Sequence, residues 1–183
     1  MVVVNRRRTE YMTKQEAMRL VRKLVDHQKY MYTHNHYMKN ESSEPVDISK
    51  IDIIHLTFDV GEPLEEVQVT LHFCEKYIDL LAFPHPIIVE KKYVLPTIRF
   101  LNFLNSHIKT ISGRFYLDED FLDVAFSARI PYYLVESYPK ESIENSISGS
   151  VDFFIDAKYL LFKVSKGIIN ADEAINSMKE IWI

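Results

Sequence analysis

Cysteine is almost absent: Cys74 is the only one in 183 residues. A single thiol excludes an intramolecular disulfide and a cysteine-rich zinc site, and it fits a reducing compartment. Glycine is scarce too, with Gly61, Gly113, Gly149 and Gly167 far apart. No glycine-rich loop can therefore cradle a nucleotide phosphate on backbone N–H groups, and no Gly-x-Ser-x-Gly elbow holds a nucleophilic serine. No uninterrupted apolar run approaches the ~20 residues that cross a bilayer, so neither a membrane span nor a membrane anchor is expected. Val2, Val3 and Val4 are too few for a signal-peptide core, and Arg6, Arg7 and Arg8 stand on the wrong side of them. Positive charge is in deficit: 22 Lys+Arg against 26 Asp+Glu leave a net charge of -4. That is the wrong balance for gripping a phosphate backbone. The expectation is a cytoplasmic protein that binds neither nucleic acid nor membrane.

What is present describes a globular chain. Hydrophobic residues make up 47%, charged residues 26% and aromatics 13%, which excludes a disordered or fibrous protein. One core is sufficient at this length, where a domain buries roughly 70% of its unfolded surface. Residues 1–12 show no sustained period and are predicted to be a mobile N-terminal arm; residues 13–183 form a single α+β domain. Thr13-x-x-Glu16 has the spacing of a capping box, and Ala17, Leu20, Val21, Leu24, Gln28 and Met31 continue a helical stripe over about 14–31. Residues 30–37 weaken that period, and residues 39–47, with Ser-Ser, Glu and Pro, read as a linker.

Strict alternation follows. Ile54, Leu56, Phe58 and Val60 share one face of a strand, and Val67, Val69, Leu71 and Phe73 share one face of the next. After Glu75-Lys76 a third strand over 77–83 implies a tight antiparallel hairpin, closed off by Pro84-His85-Pro86. Pro96, Ile98, Leu101, Leu104 and Ile108 mark a second helix ending near Lys109. Gly113 then permits the backbone conformation that starts a strand over 114–117, Asp118-Glu119-Asp120 is a turn, and a return strand over 121–130 places Leu122, Val124, Phe126, Ala128 and Ile130 on one face until Pro131. A long helix runs from Pro139 to Gly167, where Gly149 marks either a kink or a close helix-on-sheet contact. Asn170-x-x-Glu173 caps a last helix. The order α-βββ-α-ββ-α-α predicts an antiparallel five-stranded sheet with helices packed on one face.

Chemistry is thinly represented. His34 and His36 are the only cluster resembling metal ligands, and they chelate together only from an extended or loop segment. Their ordinary reading is solvated histidines at a helix end and in a linker. The acidic turn at 118–120 lacks the alternating oxygen ligands and the glycine of a calcium loop. His72 and Cys74 share one face of a strand about 7 Å apart, which invites a Cys–His dyad. No orienting third group or oxyanion site accompanies them in the sequence, so sheet packing is the simpler reading. Tyrosines are more suggestive: Tyr30, Tyr32, Tyr37, Tyr77, Tyr132, Tyr133 and Tyr138 are amphipathic side chains of the kind enriched at protein interfaces. Tyr77, Tyr132, Tyr133 and Tyr138 are the candidate protein-binding surface.

Residues 113–120, Gly-Arg-Phe-Tyr-Leu-Asp-Glu-Asp, together with 122–132, Leu-Asp-Val-Ala-Phe-Ser-Ala-Arg-Ile-Pro-Tyr, resemble the signature hairpin of the YbjN-like family, described as regulators of bacterial sensory transduction. The preceding helix with Phe100, Leu101, Asn102 and Leu104, and the following helix ending Leu161-Phe162-Lys163-Val164-Ser165-Lys166-Gly167, stand in that family's order. The likeness covers roughly residues 50–167 and departs at Phe121 and in the first helix and linker. It implies a fold similar to type III secretion chaperones, often dimeric, and it implies no catalytic residues or cofactor.

The expected function is thus a non-enzymatic protein-binding or chaperone-like regulatory module. Its partner would be a protein or peptide, including a second copy in a homodimer, held in an apolar groove or along a sheet edge. The rival from another class is a metal- or thiol-dependent enzyme using His34 and His36 or Cys74. A third reading is a toxin-neutralising partner protein.

Overall fold

The alternating segments pair into one antiparallel sheet because each has a single apolar face to cover. The computed structural model describes residues 12–27, 34–36, 52–107 and 113–181, with residues 34–36 described by their backbone. The expected arm at 1–11, Tyr30, Tyr32, Tyr37 and the linker at 39–47 lie outside the described residues. Strands β2 (Ile53–Asp59), β3 (Glu66–Phe73), β4 (Tyr77–His85), β5 (Gly113–Asp118) and β6 (Asp123–Pro131) are the five expected from the sequence. A sixth, β1 (His34–His36), adds three residues to the β2 edge, so the segment read as a helix end and linker contains a short strand. The order across the sheet is β1-β2-β3-β4-β6-β5.

Burial follows the alternation strand by strand. Ile54, Leu56 and Phe58 on β2, Val67, Val69, Leu71 and Phe73 on β3, and Ile78, Leu80 and Ala82 on β4 are buried on the inner face. Phe115 of β5 and Val124, Phe126, Ala128 and Ile130 of β6 extend that face. Five helices supply the cover: α1 (Lys14–His27), α2 (Val94–His107), α3 (Tyr132–Ser137), α4 (Pro139–Ser165) and α5 (Ala171–Ile181). Helix α4 crosses β3, β4 and β6 and packs on all the other helices, while α2 lies on β5. Phe154 of α4 meets Phe115 edge-on at 5.1 Å, fully buried. The described sheet and helices share one hydrophobic core, and Met12, assigned by sequence to the arm, packs against it.

Both capping boxes form as their spacing requires. Thr13 N–H donates to the Glu16 carboxylate at 2.8 Å, and Glu16 N–H returns to Thr13 Oγ1 at 3.3 Å. At α5, Asn170 N–H donates to Glu173 at 2.9 Å and Glu173 N–H to Asn170 Oδ1 at 3.0 Å. These pairs satisfy helix-end donors that have no partner within the helix. Helix α4 ends at Gly167, whose φ of 67° is the left-handed conformation that a Cβ disfavours.

Three expectations need correction. Leu122 does not belong to the return strand: it sits in the turn with φ 58°, and β6 begins at Asp123. The Asp118 carboxylate holds that turn by accepting from Asp120 N–H at 3.0 Å and Phe121 N–H at 3.2 Å. Strand β4 runs through Pro84 rather than stopping before it, because its pairing with β6 ends at Ala82 and the missing donor costs no ladder bond there. Gly113 is needed for proximity rather than conformation: a Cβ there would lie 2.1 Å from the Phe126 ring. Helix α4 runs unbroken through Gly149.

The outer long edge of the sheet at β5 is not bare. Asn105 of α2 donates through Nδ2 to Phe115 C=O at 2.8 Å and accepts at Oδ1 from Phe115 N–H at 2.7 Å. The peptide groups that β6 leaves over at Phe115 are thereby satisfied by one side chain.

Candidate functional site

The chemistry gathers where the β3–β4 hairpin turns. Cys74 N–H donates to Tyr77 C=O at 2.9 Å, which closes the two-residue turn at Glu75 and Lys76. The hairpin's polar parity then faces away from the helices. His72 stands opposite Asp79 on β4, and Asp79 stands opposite Arg129 on β6. A row of three charged or titratable side chains therefore crosses three strands on the uncovered face.

Asp79 is shared between two neighbours. Its Oδ1 accepts from Arg129 Nε at 3.1 Å, while its Oδ2 accepts from Cys74 Sγ at 3.5 Å. His72 Nδ1 lies 3.8 Å from the same sulfur. Burial, followed by the hydrogen bond and negative charge of Asp79, pushes the Cys74 thiol above its ordinary value. The Asp79 hydrogen bond and charge raise Arg129, which is fully cationic in any case. Arg129 also lies over the Tyr77 ring, 4.2 Å from its centroid, a cation–π contact that holds the guanidinium flat against the hairpin.

Beside this row runs a groove of ≈ 620 Å³. Residues 12–14 leading into α1 form one wall and residues 75–77 of the hairpin turn form another. Arg129 with residues 131–133, at the passage from β6 into α3, closes the third. Three of the four tyrosines singled out by sequence meet here. Tyr77 is half-buried on the hairpin wall and Tyr133 is 52% exposed at the rim. Tyr132, expected at the surface, is buried, with only 2% exposed. Its hydroxyl donates to Cys74 C=O, so it props the hairpin turn from beneath, and burial, then the nearby Cys74, Glu75 and Asp52, push its phenol far up. Adjacent residues on a helix point about 100° apart, so α3 buries Tyr132 with Val135 and leaves Tyr133 outside. The apolar pair at i and i+3 was the signal in the sequence for that inversion. Tyr138, 62% exposed between α3 and α4, does not line the groove.

The remaining candidates lie apart. His34 and His36 occupy β1, in register with Thr57 and His55 respectively, and their side chains lie outside the described residues. His55 on β2 bonds Thr70 Oγ1 through Nδ1 at 2.9 Å, and its Nε2 is buried with no hydrogen-bond partner among the described residues. Burial lowers its pKa from the ordinary 6.5. Sequence reasoning paired His72 with Cys74 but missed Asp79 and Arg129. The tight turn at Glu75 and Lys76 sets Asp79 opposite His72 and was the available signal for it; nothing local points to Arg129, because β6 comes to lie beside β4 only after β5 in chain order.

No helix among the described residues is long and apolar enough to cross a membrane. Compared with protein-family models, curated proteins and solved structures, the chain matches none.

Proposed function

We propose that this chain is a non-enzymatic, cytoplasmic protein-binding module of the chaperone-like, YbjN-like kind, and that the groove at the hairpin tip receives an apolar side chain from a partner segment. The observation that carries the reading is the groove's makeup. Its volume is ≈ 620 Å³, and three tyrosines, a proline and a methionine stand with a stacked arginine in its walls. Tyrosine and arginine are the residue types that dominate binding energy at protein interfaces, and they do so around pockets that exclude water. Lys76 and Arg129 add positive charge at the rim and Glu75 negative charge, a pattern that sets partner orientation more than affinity.

The groove is favoured over strand addition at the β5 edge because Asn105 already answers the Phe115 peptide groups there. The thiol-enzyme alternative is disfavoured by Cys74 itself. A nucleophilic thiol needs its pKa depressed, and burial together with Asp79 pushes this one up. The likeness of residues 113–132 to the YbjN-like hairpin supports a regulatory role and a homodimeric state, and light scattering on the purified chain tests the latter.

The decisive experiment compares recovery of partners from the native cell on the wild-type chain and on Tyr133→Ala and Arg129→Ala. Loss of the same partner from both variants, with recovery retained on Tyr138→Ala and unchanged far-ultraviolet circular dichroism, is the expected result. A partner held equally by all four proteins would remove the groove from the reading.

A further inference from the structure

We propose that His72, Cys74 and Asp79 bind a single divalent transition-metal ion of the zinc class, through the imidazole, the thiolate and one carboxylate oxygen, with a fourth position open. One donor atom from each of the three residues lies within 4.8 Å of the other two. Bond lengths of about 2.3 Å to sulfur, 2.0 Å to nitrogen and 2.1 Å to oxygen set tetrahedral edges of about 3.5 Å for S···N and 3.6 Å for S···O. The two edges that meet at Cys74 Sγ measure 3.8 Å to His72 Nδ1 and 3.5 Å to Asp79 Oδ2. Both fall within a few tenths of an ångström of the tetrahedral values. A plain surface hydrogen bond needs only the thiol and the carboxylate. The imidazole nitrogen converging on the same point, from a residue two places away on an extended strand, is the added observation.

The surroundings are built to hold this geometry. Arg129 engages Asp79 through Oδ1 and leaves Oδ2 turned toward the sulfur, the outer-shell partner that orients a ligating carboxylate. Cys74 is fixed at both of its peptide groups, its N–H on Tyr77 C=O and its C=O under the Tyr132 hydroxyl. The β3–β4 hairpin supplies all three ligands, His72 and Asp79 paired on its strands and Cys74 one residue beyond β3, so the donors sit on a rigid element. The donor set of one sulfur, one nitrogen and one oxygen suits zinc, cobalt or nickel and excludes the all-oxygen preference of calcium and magnesium. Binding releases the Cys74 proton to solvent and leaves the metal's oxidation state unchanged; the dication supplies the positive charge that Asp79 denies the thiolate.

The proposal is independent of what occupies the groove, since cobalt binding is read without any partner. The full, reduced chain is titrated with Co²⁺ alone, following the sulfur-to-cobalt charge-transfer band and the visible bands of tetrahedral cobalt. A one-to-one end point is expected, with the charge-transfer band abolished in Cys74→Ser and affinity weakened at least tenfold in both His72→Ala and Asp79→Asn. Far-ultraviolet circular dichroism checks that each variant folds. A His34→Ala/His36→Ala double variant is expected to titrate as the wild type. Three outcomes overturn the site: no sulfur band at saturating cobalt, a band of unchanged affinity in His72→Ala and Asp79→Asn, or loss of binding in the His34/His36 double variant instead.

Discussion

The two faces of this sheet are made from the same strands and have opposite compositions. On the inner face the alternate residues of the strands, from Ile54 on β2 to Ile130 on β6, are apolar and, apart from half-buried Leu117, buried, with α4 over β3, β4 and β6 and α2 over β5. The outer face, one residue out of step, carries His55, Thr70, His72, Cys74, Asp79, Ser127 and Arg129. Of its apolar members, Leu81 and Phe83 are only half-buried, and the small Ala125 is buried. Stability is concentrated on one side and reactive chemistry on the other. The alternation that gives a strand one face to bury frees the second face for groups that burial would penalise.

The division can be broken most forcefully from inside. Phe154→Ala removes a fully buried ring from against Phe115 and is expected to destabilise by ~3–5 kcal/mol, measured by urea unfolding. Gly113→Ala drives a Cβ to 2.1 Å from the Phe126 ring and 2.7 Å from Ser127 C=O. Neither neighbour is free to withdraw, and the expected cost is ~1–3 kcal/mol by the same measurement. An outer-face effect comes third and depends on pH. The folded-state pKa of His55 lies below its ordinary 6.5, so the unfolded chain binds the extra proton first as pH falls through that value. Stability contributed by neutral His55 is full above pH 6.5 and lost below it. Unfolding measured in parallel on His55→Gln should lack that part of the decline. Smallest of all is Gln68→Ala, an exposed outer-face side chain, expected to change stability by no more than ~0.5 kcal/mol. A loss there comparable to Phe154→Ala would abolish the distinction between the faces.

What could be read in the sequence follows the range of each signal. Helix caps act over three residues and strand alternation over two, so both capping boxes and all five long strands were legible from neighbours alone. Helix α3 was not: it is six residues long, without a side-chain cap, and follows a strand that Pro131 seemed to end. Its missing signature cost the placement of Tyr132. Leu122 was assigned to β6 on parity, and only the Asp118 side chain shows why the chain turns there instead. The candidate site was half legible. His72 and Cys74 are two residues apart in extended chain, and their common face follows from spacing; Asp79 joins them through the register of a hairpin whose tight turn was legible, and Arg129 through strand order, which no stretch of single sequence encodes.

Asn105 carries a consequence for how this protein behaves in a crowd. Its amide offers one donor and one acceptor to the Phe115 peptide, so it acts as a terminal strand one residue long. A second molecule arriving at that border to stack its own backbone finds the Phe115 hydrogen bonds already taken, so pairing there must either skip that residue or displace Asn105.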